Sequence, residues 1–301
     1  MKSNRRQFIK KSTLAAAGIG MVSAMPVKSF IRDESGFRIS LAEWSLHRAL
    51  FAGAMSNLDF PVVAAKDYSI YGVEYVSTFF EGTGPRYLAE LQKVTKDNNV
   101  ENVLIMIDNE GDLGALYKPE RIQAVERHYR WVDAARALGC HSIRVNARGQ
   151  GTEAEVADAA VDGLGRLSEY GEKAGINVIV ENHGGYSSNG KWISEVISRV
   201  GKKNCGTLPD FGNFRISENE EYDRYLGMTE MMPFAKGVSA KSHDFDKAGN
   251  ETRTDYYKML SIVKNSGYRG YIGIEYEGSR LTEKEGIIAT KKLLEKVIAQ
   301  L

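Results

Sequence analysis

The sequence has little cysteine and proline and, beyond its N-terminal segment, no long apolar run, and each shortage excludes a class of protein. Two cysteines, Cys140 and Cys205, are too few for a disulfide framework, and both lie beside apolar runs where burial is expected. No later segment approaches the ~20 apolar residues of a membrane-spanning helix. The six prolines form no linker, so a single domain is expected.

The first 24 residues carry the pattern of an export signal. Adjacent Arg5 and Arg6 precede an apolar stretch that ends in the small residues Val22, Ser23 and Ala24. We interpret residues 1–24 as a twin-arginine signal peptide cleaved after Ala24, and residues 25–36 as a linker. The alternative is a basic N-terminal helix that stays in the cytosol. The expected location is the periplasm or another exported compartment, reached through the twin-arginine machinery, with no stable membrane span after cleavage.

The charge of the remaining chain argues against a nucleic-acid partner. Five of the 40 basic residues and none of the 39 acidic residues fall in the signal, so the remainder carries a net charge of −4. Proteins that bind nucleic acid through electrostatics need a basic face, which displaces counterions from phosphates. We therefore expect no nucleic-acid partner.

From residue 37 onward, short β-branched runs alternate with longer amphipathic segments, which indicates repeated βα units around a parallel sheet. Several helical segments end in a glycine just before the next strand, as at Gly139, Gly175 and Gly267. No Gly-x-Gly-x-x-Gly turn follows the first strand, which disfavours an open doubly wound sheet. The predicted strands lie near 37–43, 71–76, 101–107, 141–146, 176–181, 204–208, 235–241 and 271–276. The predicted fold is a single-domain α/β protein, a (β/α)8 TIM barrel over residues 37–301.

Carboxylates occur at the predicted ends of strands 5, 6 and 8. They are Glu181, Asp210 and Glu275, and His243 follows strand 7. Strand ends of such a barrel converge, and three close carboxylates would repel one another without a cation. Oxygen ligands with one imidazole suit Mn, Mg, Co or Zn. The sequence therefore predicts a divalent-metal site, although a helix cap or a salt bridge is the alternative for a single residue such as Glu181.

Four segments resemble the sugar phosphate isomerase/epimerase family, the xylose isomerase-like barrels, and the resemblance covers nearly all of the chain after the signal. The segments are VENHG at 180–184, PDFGN at 209–213, VSAK at 238–241 and YIGIEY at 271–276. The resemblance implies that Glu181, Asp210 and Glu275 bind one divalent ion, often manganese.

The strand-7 ligand departs from the family pattern, which is usually His-x-Lys-Asp. If Lys241 aligns with the family lysine, Ser239 occupies the histidine position. We expect His243 to reach back from the loop as the fourth metal ligand, and a substrate-contacting or surface histidine is the alternative.

The mechanism that the resemblance implies is removal and return of a proton next to a carbonyl. Glu181 and Glu275 would be the catalytic acid and base, while the ion polarises the carbonyl. Five residues are expected to bind the substrate, and core packing or pairing with a nearby charge is the alternative role for each of them. The expected substrate-binding residues are Glu43, Trp44, Asn146, His183 and Lys241.

The expected function is a metal-dependent isomerase or epimerase of a sugar or keto-sugar. Export favours a free sugar, an oxidised sugar or a glycoside, because phosphorylated sugars are mainly intracellular. Two alternatives stay open: a lyase that eliminates the aglycone from an oxidised (3-keto) glycoside, and a non-catalytic sugar-binding barrel. The expected partner is a small carbohydrate, and a homo-oligomer is left open.

Overall fold

The structure, a computed structural model, describes residues 36–301. The expected signal peptide, with its export route, and the linker up to residue 35 lie outside the described residues. Within 36–301, no helix combines the length and the apolar character needed to span a bilayer. Cys140 and Cys205 are buried free thiols, as expected.

Eight βα units make up the described chain, and the main helix of each unit follows its strand. The strands are β1 (Arg38–Ala42), β2 (Gly72–Val76), β3 (Glu101–Met106), β4 (Ser142–Val145), β5 (Asn177–Glu181), β6 (Cys205–Leu208), β7 (Val238–Ser242) and β8 (Tyr271–Tyr276). The helices are α1 (Phe60–Tyr68), α2 (Pro85–Asp97), α3 (Lys118–Leu138), α4 (Glu153–Ala174), α5 (Gly190–Val200), α6 (Arg224–Met231), α7 (Tyr256–Asn265) and α8 (Glu283–Ile298).

The strands form one parallel sheet in the order β6-β5-β4-β3-β2-β1-β8-β7. First and last strands are neighbours, since Arg38 of β1 pairs with Tyr271 of β8. Parallel bridges from Thr207 to Ala235 and from Asp210 to Ser239 connect the β6 edge with the β7 edge. The sheet therefore curls into a single-domain (β/α)8 TIM barrel, which confirms the predicted fold class.

Local sequence signals explain where the longest helices begin and end. Helix α4 starts with a capping box, in which Thr152 accepts from the Glu155 N–H and Glu155 accepts from the Thr152 N–H. Helices α3 and α4 end at Gly139 and Gly175, whose φ angles of 78° and 73° are left-handed. Strands β4 and β5 begin within a few residues of these two helix ends.

Apolar residues fill much of the barrel interior, and some of them reach the strand ends that carry the site. The interior cluster consists of Ala42, Val76, Val103, Leu104, Met106, Ile179, Leu208 and Tyr271. A larger cluster packs the helices against the outside of the sheet. Buried charged side chains occur toward the carboxyl ends of the strands, including Arg144, Glu181, Lys241 and Glu275. This end of the barrel holds the candidate site.

Candidate functional site

A cavity of about 310 Å³ opens where the strands end. Its lining combines aromatic and charged side chains. These side chains come from residues at or after the ends of several different strands. Among the lining residues are Trp44, Asp108, Arg144, His183, Glu275 and Glu277. This composition is typical of a site for a polar ligand that carries rings or hydroxyl groups.

Three of the predicted site residues converge in this region. Glu181 ends β5, Asp210 follows β6, and Glu275 is the penultimate residue of β8. One carboxylate oxygen from each lies within 4.8 Å of the other two, and all three side chains are buried. The convergence follows from the parallel sheet, because its strands deliver their carboxyl ends to one edge. We call Glu181, Asp210 and Glu275 the carboxylate trio.

Burial raises the pKa of each member of the trio. Desolvation is the largest cause for Glu181, whose pKa rises to about 8, and the charges of Glu275 and Asp210 add to it against Arg144. The pKa of Glu275 rises to about 7, again mainly through burial, with Lys241 opposing the shift. The pKa of Asp210 is also raised by burial. The trio therefore lacks sufficient positive charge to keep all three groups ionised at neutral pH.

Two buried cations partly offset that charge. Arg144 of β4 places Nε 2.5 Å from Glu181 Oε2 and Nη1 3.0 Å from Asp108 Oδ1. Lys241 of β7 places Nζ 3.6 Å from Glu275 Oε1 and 3.3 Å from Glu277 Oε2. Sequence reasoning assigned no role to Arg144, Asp108 or Glu277. The available signal for Arg144 was a charge inside the apolar run Ile143 to Val145, on a strand buried on both faces.

The donor set of the trio fits a divalent cation. Glu181 Oε2 is buried and accepts no hydrogen bond of good geometry, despite its close approach to Arg144. Asp210 is fixed because its Oδ1 accepts from the backbone N–H groups of Gly212 and Asn213. Hard oxygen donors without thiolates suit Mg²⁺, Mn²⁺ or Zn²⁺.

Ser239, not His243, lies against the trio at the position expected for the fourth ligand. Its Oγ lies 2.6 Å from Asp210 Oδ2 and 2.9 Å from Glu275 Oε2. His243 lies outside the trio, with Nε2 3.9 Å from Glu277 Oε2. It follows the end of β7, where its backbone N–H donates to Glu251 Oε1. The expected fourth ligand is therefore not brought to the carboxylates, and a serine hydroxyl occupies that place.

Trp44 and His183, both expected to bind substrate, line the cavity. The Trp44 Nε1–H donates to Glu277 Oε1 at 2.6 Å, which fixes the indole against the cavity wall. Burial, together with the nearby charges of Arg144, Lys241 and Arg148, lowers the pKa of His183 to about 3. Neutral imidazole is therefore the form present at physiological pH.

Glu43 and Asn146 do not line the cavity, unlike what the sequence led us to expect. The carboxylate of Glu43 is fully buried and accepts from the backbone N–H of Val76 and from Asn57 Nδ2, both at 2.9 Å. The helical turn that follows β1 directs the side chain to these donors. Asn146 Nδ2 donates to Asp108 Oδ1 at 3.2 Å and supports that cavity residue.

Comparisons with known proteins agree with this architecture. Residues 62–297 match the family model described as xylose isomerase-like TIM barrel. A D-tagatose 3-epimerase-like protein is 18% identical, with a TM-score of 0.68 over 87% of this chain and 97% of that one. No curated protein matches the sequence.

Two other similar structures contain a metal ion. The IolI protein with bound zinc is 16% identical, with a TM-score of 0.66 over 87% of this chain and 98% of that one. A xylose isomerase-like TIM barrel protein from Mycobacterium smegmatis, in complex with magnesium, is 14% identical, with a TM-score of 0.60 over 76% and 83%. At these identities the likeness shows the fold alone.

Proposed function

The chain belongs to the xylose isomerase-like TIM barrel family, and we propose that it is a divalent-metal-dependent isomerase or epimerase of a sugar or keto-sugar. The observation that carries this proposal is the convergence of Glu181, Asp210 and Glu275 within 4.8 Å at the cavity end of the barrel. Buried carboxylates so close together suit both cation binding and proton transfer.

The carboxylate trio would hold the ion, with the Ser239 hydroxyl beside it. A divalent ion bound there would act as a Lewis acid on a substrate carbonyl. Manganese is the ion that the family resemblance implies, while the zinc and magnesium complexes of structural relatives support a divalent ion in general. A role for His243 as a further ligand would require the loop after β7 to turn toward the trio, and it stays a prediction.

Glu181 and Glu275 would exchange the proton. They lie on β5 and β8, and β6 and β7 separate these strands, so their carboxylates approach the site from two sides. One, in its ionised form, would remove the proton next to the carbonyl, and the other would supply a proton to the same or the neighbouring carbon. In the metal-free protein their pKa values are raised to about 8 and about 7. A bound cation would lower both values, so that ionised carboxylates would be available as bases near neutral pH. Asp210 is anchored by backbone donors and would only hold the ion.

Lys241, His183 and Trp44 would hold the sugar. The Lys241 ammonium group lies 3.6 Å from Glu275 Oε1, so it would stabilise negative charge beside the proton-transfer position. Burial lowers its pKa, but the charges of four nearby carboxylates outweigh that effect and raise the pKa above its usual value, so the group stays charged. Export through the predicted signal would bring a free or oxidised sugar to the site in preference to a phosphorylated one.

The second candidate is a lyase that eliminates the aglycone from a 3-keto-glycoside. Aromatic side chains at the cavity mouth favour it, because they extend the site beyond a single sugar ring. Trp44, Phe51 and Phe79 contact one another with centroid distances of 5.1 to 6.0 Å, and Phe51 is 63% exposed. Such faces are suited to stacking on a second ring.

An isotope experiment tests the proposal. Metal-loaded protein would be incubated with ketoses and 3-keto-glycosides in heavy water, with Glu275→Gln as the impaired variant and Asp133→Asn as the surface control. Deuterium uptake with an intact carbon skeleton supports the isomerase or epimerase. Release of the aglycone supports the lyase. If neither occurs with any substrate, the enzymatic proposal fails and a non-catalytic sugar-binding barrel is left.

A further inference from the structure

An arginine and a histidine form a close pair at the mouth of the cavity. Arg148 Nη2 lies 2.7 Å from His183 Nδ1 and 3.3 Å from the His183 carbonyl oxygen. Both side chains line the cavity with Glu275. Across residues 36–301, no carboxylate forms an ion pair with Arg148, so its hydrogen-bonding partners at this site are the imidazole and the carbonyl oxygen of His183.

The chemistry of the pair fixes which imidazole nitrogen carries the proton. A guanidinium group has only donors and cannot be deprotonated in a protein. At 2.7 Å, Nδ1 must therefore supply its lone pair to the Arg148 N–H, because a protonated Nδ1 would set two donors against each other. A neutral imidazole whose Nδ1 accepts must carry its single proton on Nε2.

The backbone around His183 also restrains the ring. The His183 N–H donates to Ser187 Oγ at 3.1 Å, and the Gly184 N–H donates to Ser188 Oγ at 3.0 Å. Gly184 has a φ of 83°, a left-handed conformation that glycine adopts readily. Within the described part of the chain, nothing accepts from Nε2, so this donor is available to a ligand in the cavity.

We propose that Arg148 is a positioning residue that holds His183 in the Nε2–H tautomer, so that His183 presents a neutral hydrogen-bond donor to a substrate oxygen. The role of this donor in catalysis rests on the proposed function. When a proton leaves the carbon next to a carbonyl, negative charge develops on the carbonyl oxygen, and a preorganised donor stabilises it. A neutral imidazole can perform that role without giving up its own proton.

The tautomer can be measured without substrate. Long-range ¹H–¹⁵N correlation spectra of the ¹⁵N-labelled full chain with excess Mg²⁺ resolve the imidazole nitrogens of its five histidines. The His183 signals are assigned by their loss in His183→Asn. We expect a protonated Nε2 and an unprotonated Nδ1. The Nδ1 frequency should shift in Arg148→Met, should stay near the wild-type value in Arg148→Lys, which keeps a donor, and should not change in the surface control Arg86→Met.

A protonated Nδ1, or an Nδ1 frequency that Arg148→Met leaves unchanged, would overturn the inference, whether or not the protein proves to be an isomerase. Two further variants test the use of the donor with any substrate that exchanges deuterium. Glutamine can place an amide N–H near the Nε2 position, whereas the shorter asparagine ends near Nδ1. We expect His183→Asn to lower kcat on the order of 100-fold, and His183→Gln to retain clearly more activity. Equal losses would show that the Nε2 donor does not act on the substrate.

Discussion

The Nε atom of Arg144 lies 2.5 Å from Oε2 of Glu181, and the two side chains are only 4% and 0% exposed. A cation from β4 thus contacts one of the carboxylates at the centre of the site. The pair is surrounded by other charges, since Arg144 also binds Asp108 and lies near Glu275. Each charged group is stabilised by the others, because water does not reach this buried position to replace a missing partner.

Removal of Arg144 should therefore destabilise the protein strongly. Breaking a buried ion pair leaves an uncompensated charge and costs about 3–5 kcal/mol. We expect Arg144→Met to lower the free energy of unfolding in urea by that amount in the metal-free protein at a pH above 8, where Glu181 is ionised. Arg199→Met is the matched control, because Arg199 pairs with Asp158 at side-chain exposures of 49% and 72%, and such pairs contribute ~1 kcal/mol at most. Equal losses in the two variants would contradict the assignment of a central role to Arg144.

Ser239 should matter most when no metal is bound. Its hydroxyl group lies within hydrogen-bond distance of the buried carboxylates of Asp210 and Glu275. Because hydrogen bonds to charged groups contribute about 1.5–3 kcal/mol, Ser239→Ala should lower the metal-free unfolding free energy by about that amount. A bound ion would take over much of this role, so the loss should shrink with excess Mg²⁺. Ser261→Ala, on the outer helix α7, should show no such metal dependence.

The buried Glu43 should make stability depend on pH. Its pKa rises from 4.5 to about 8, mainly through burial, although Val76 and Asn57 donate to it. The folded state therefore binds a proton more tightly than the unfolded state. The stabilisation is fully present below pH 4.5 and is lost as pH rises through about 8.

Glu43→Gln removes this titration. We expect the variant to lose less stability than the wild type between pH 5 and pH 8, measured as the free energy of unfolding in urea at both pH values. A wild-type-to-variant difference that does not change with pH would show that Glu43 is ionised in the folded state throughout.

Metal binding should release protons at neutral pH. The raised pKa values of Glu181 and Glu275, about 8 and about 7, mean that the metal-free trio is partly protonated at pH 7. Binding a divalent ion requires ionised carboxylates, so roughly one proton should leave for each ion bound. Calorimetric titrations in buffers of different ionisation enthalpy measure this number. If the binding heat at pH 7 is the same in all buffers, no proton is released and this prediction is wrong.

The barrel fold could be predicted from the sequence because the signals for its strands and helix ends are local. β-branched runs mark the eight strands, and Gly139 and Gly175 end helices just before β4 and β5, where left-handed φ angles occur. Glu181 and Asp210 could be placed together because parallel strands end at one edge of the sheet. The hairpin of Arg215–Ser217 with Glu220–Glu221 was not predicted, since it lies in a polar loop without strand periodicity.

Side-chain direction at the strand ends could not be derived from the sequence. Glu43 follows β1 as a mouth residue would, yet a single helical turn directs it to buried donors. His243 lies four residues after Ser239, and the position of the loop after β7 depends on a contact with Glu251. For Arg144, only its place on β4 could be predicted, because its partners Glu181 and Asp108 come from β5 and from the segment after β3. Such contacts depend on tertiary packing, which no local pattern encodes.

The proposed function depends most on one divalent ion bound by the carboxylate trio. Isothermal titration of the metal-free full chain with Mn²⁺ tests this directly, alongside Asp210→Asn and the surface control Asp133→Asn. We expect about one high-affinity ion per chain for the wild type and the control, with loss of that site in Asp210→Asn, as the proposed function requires. Absence of binding in the wild type, or equal binding in Asp210→Asn, would contradict it.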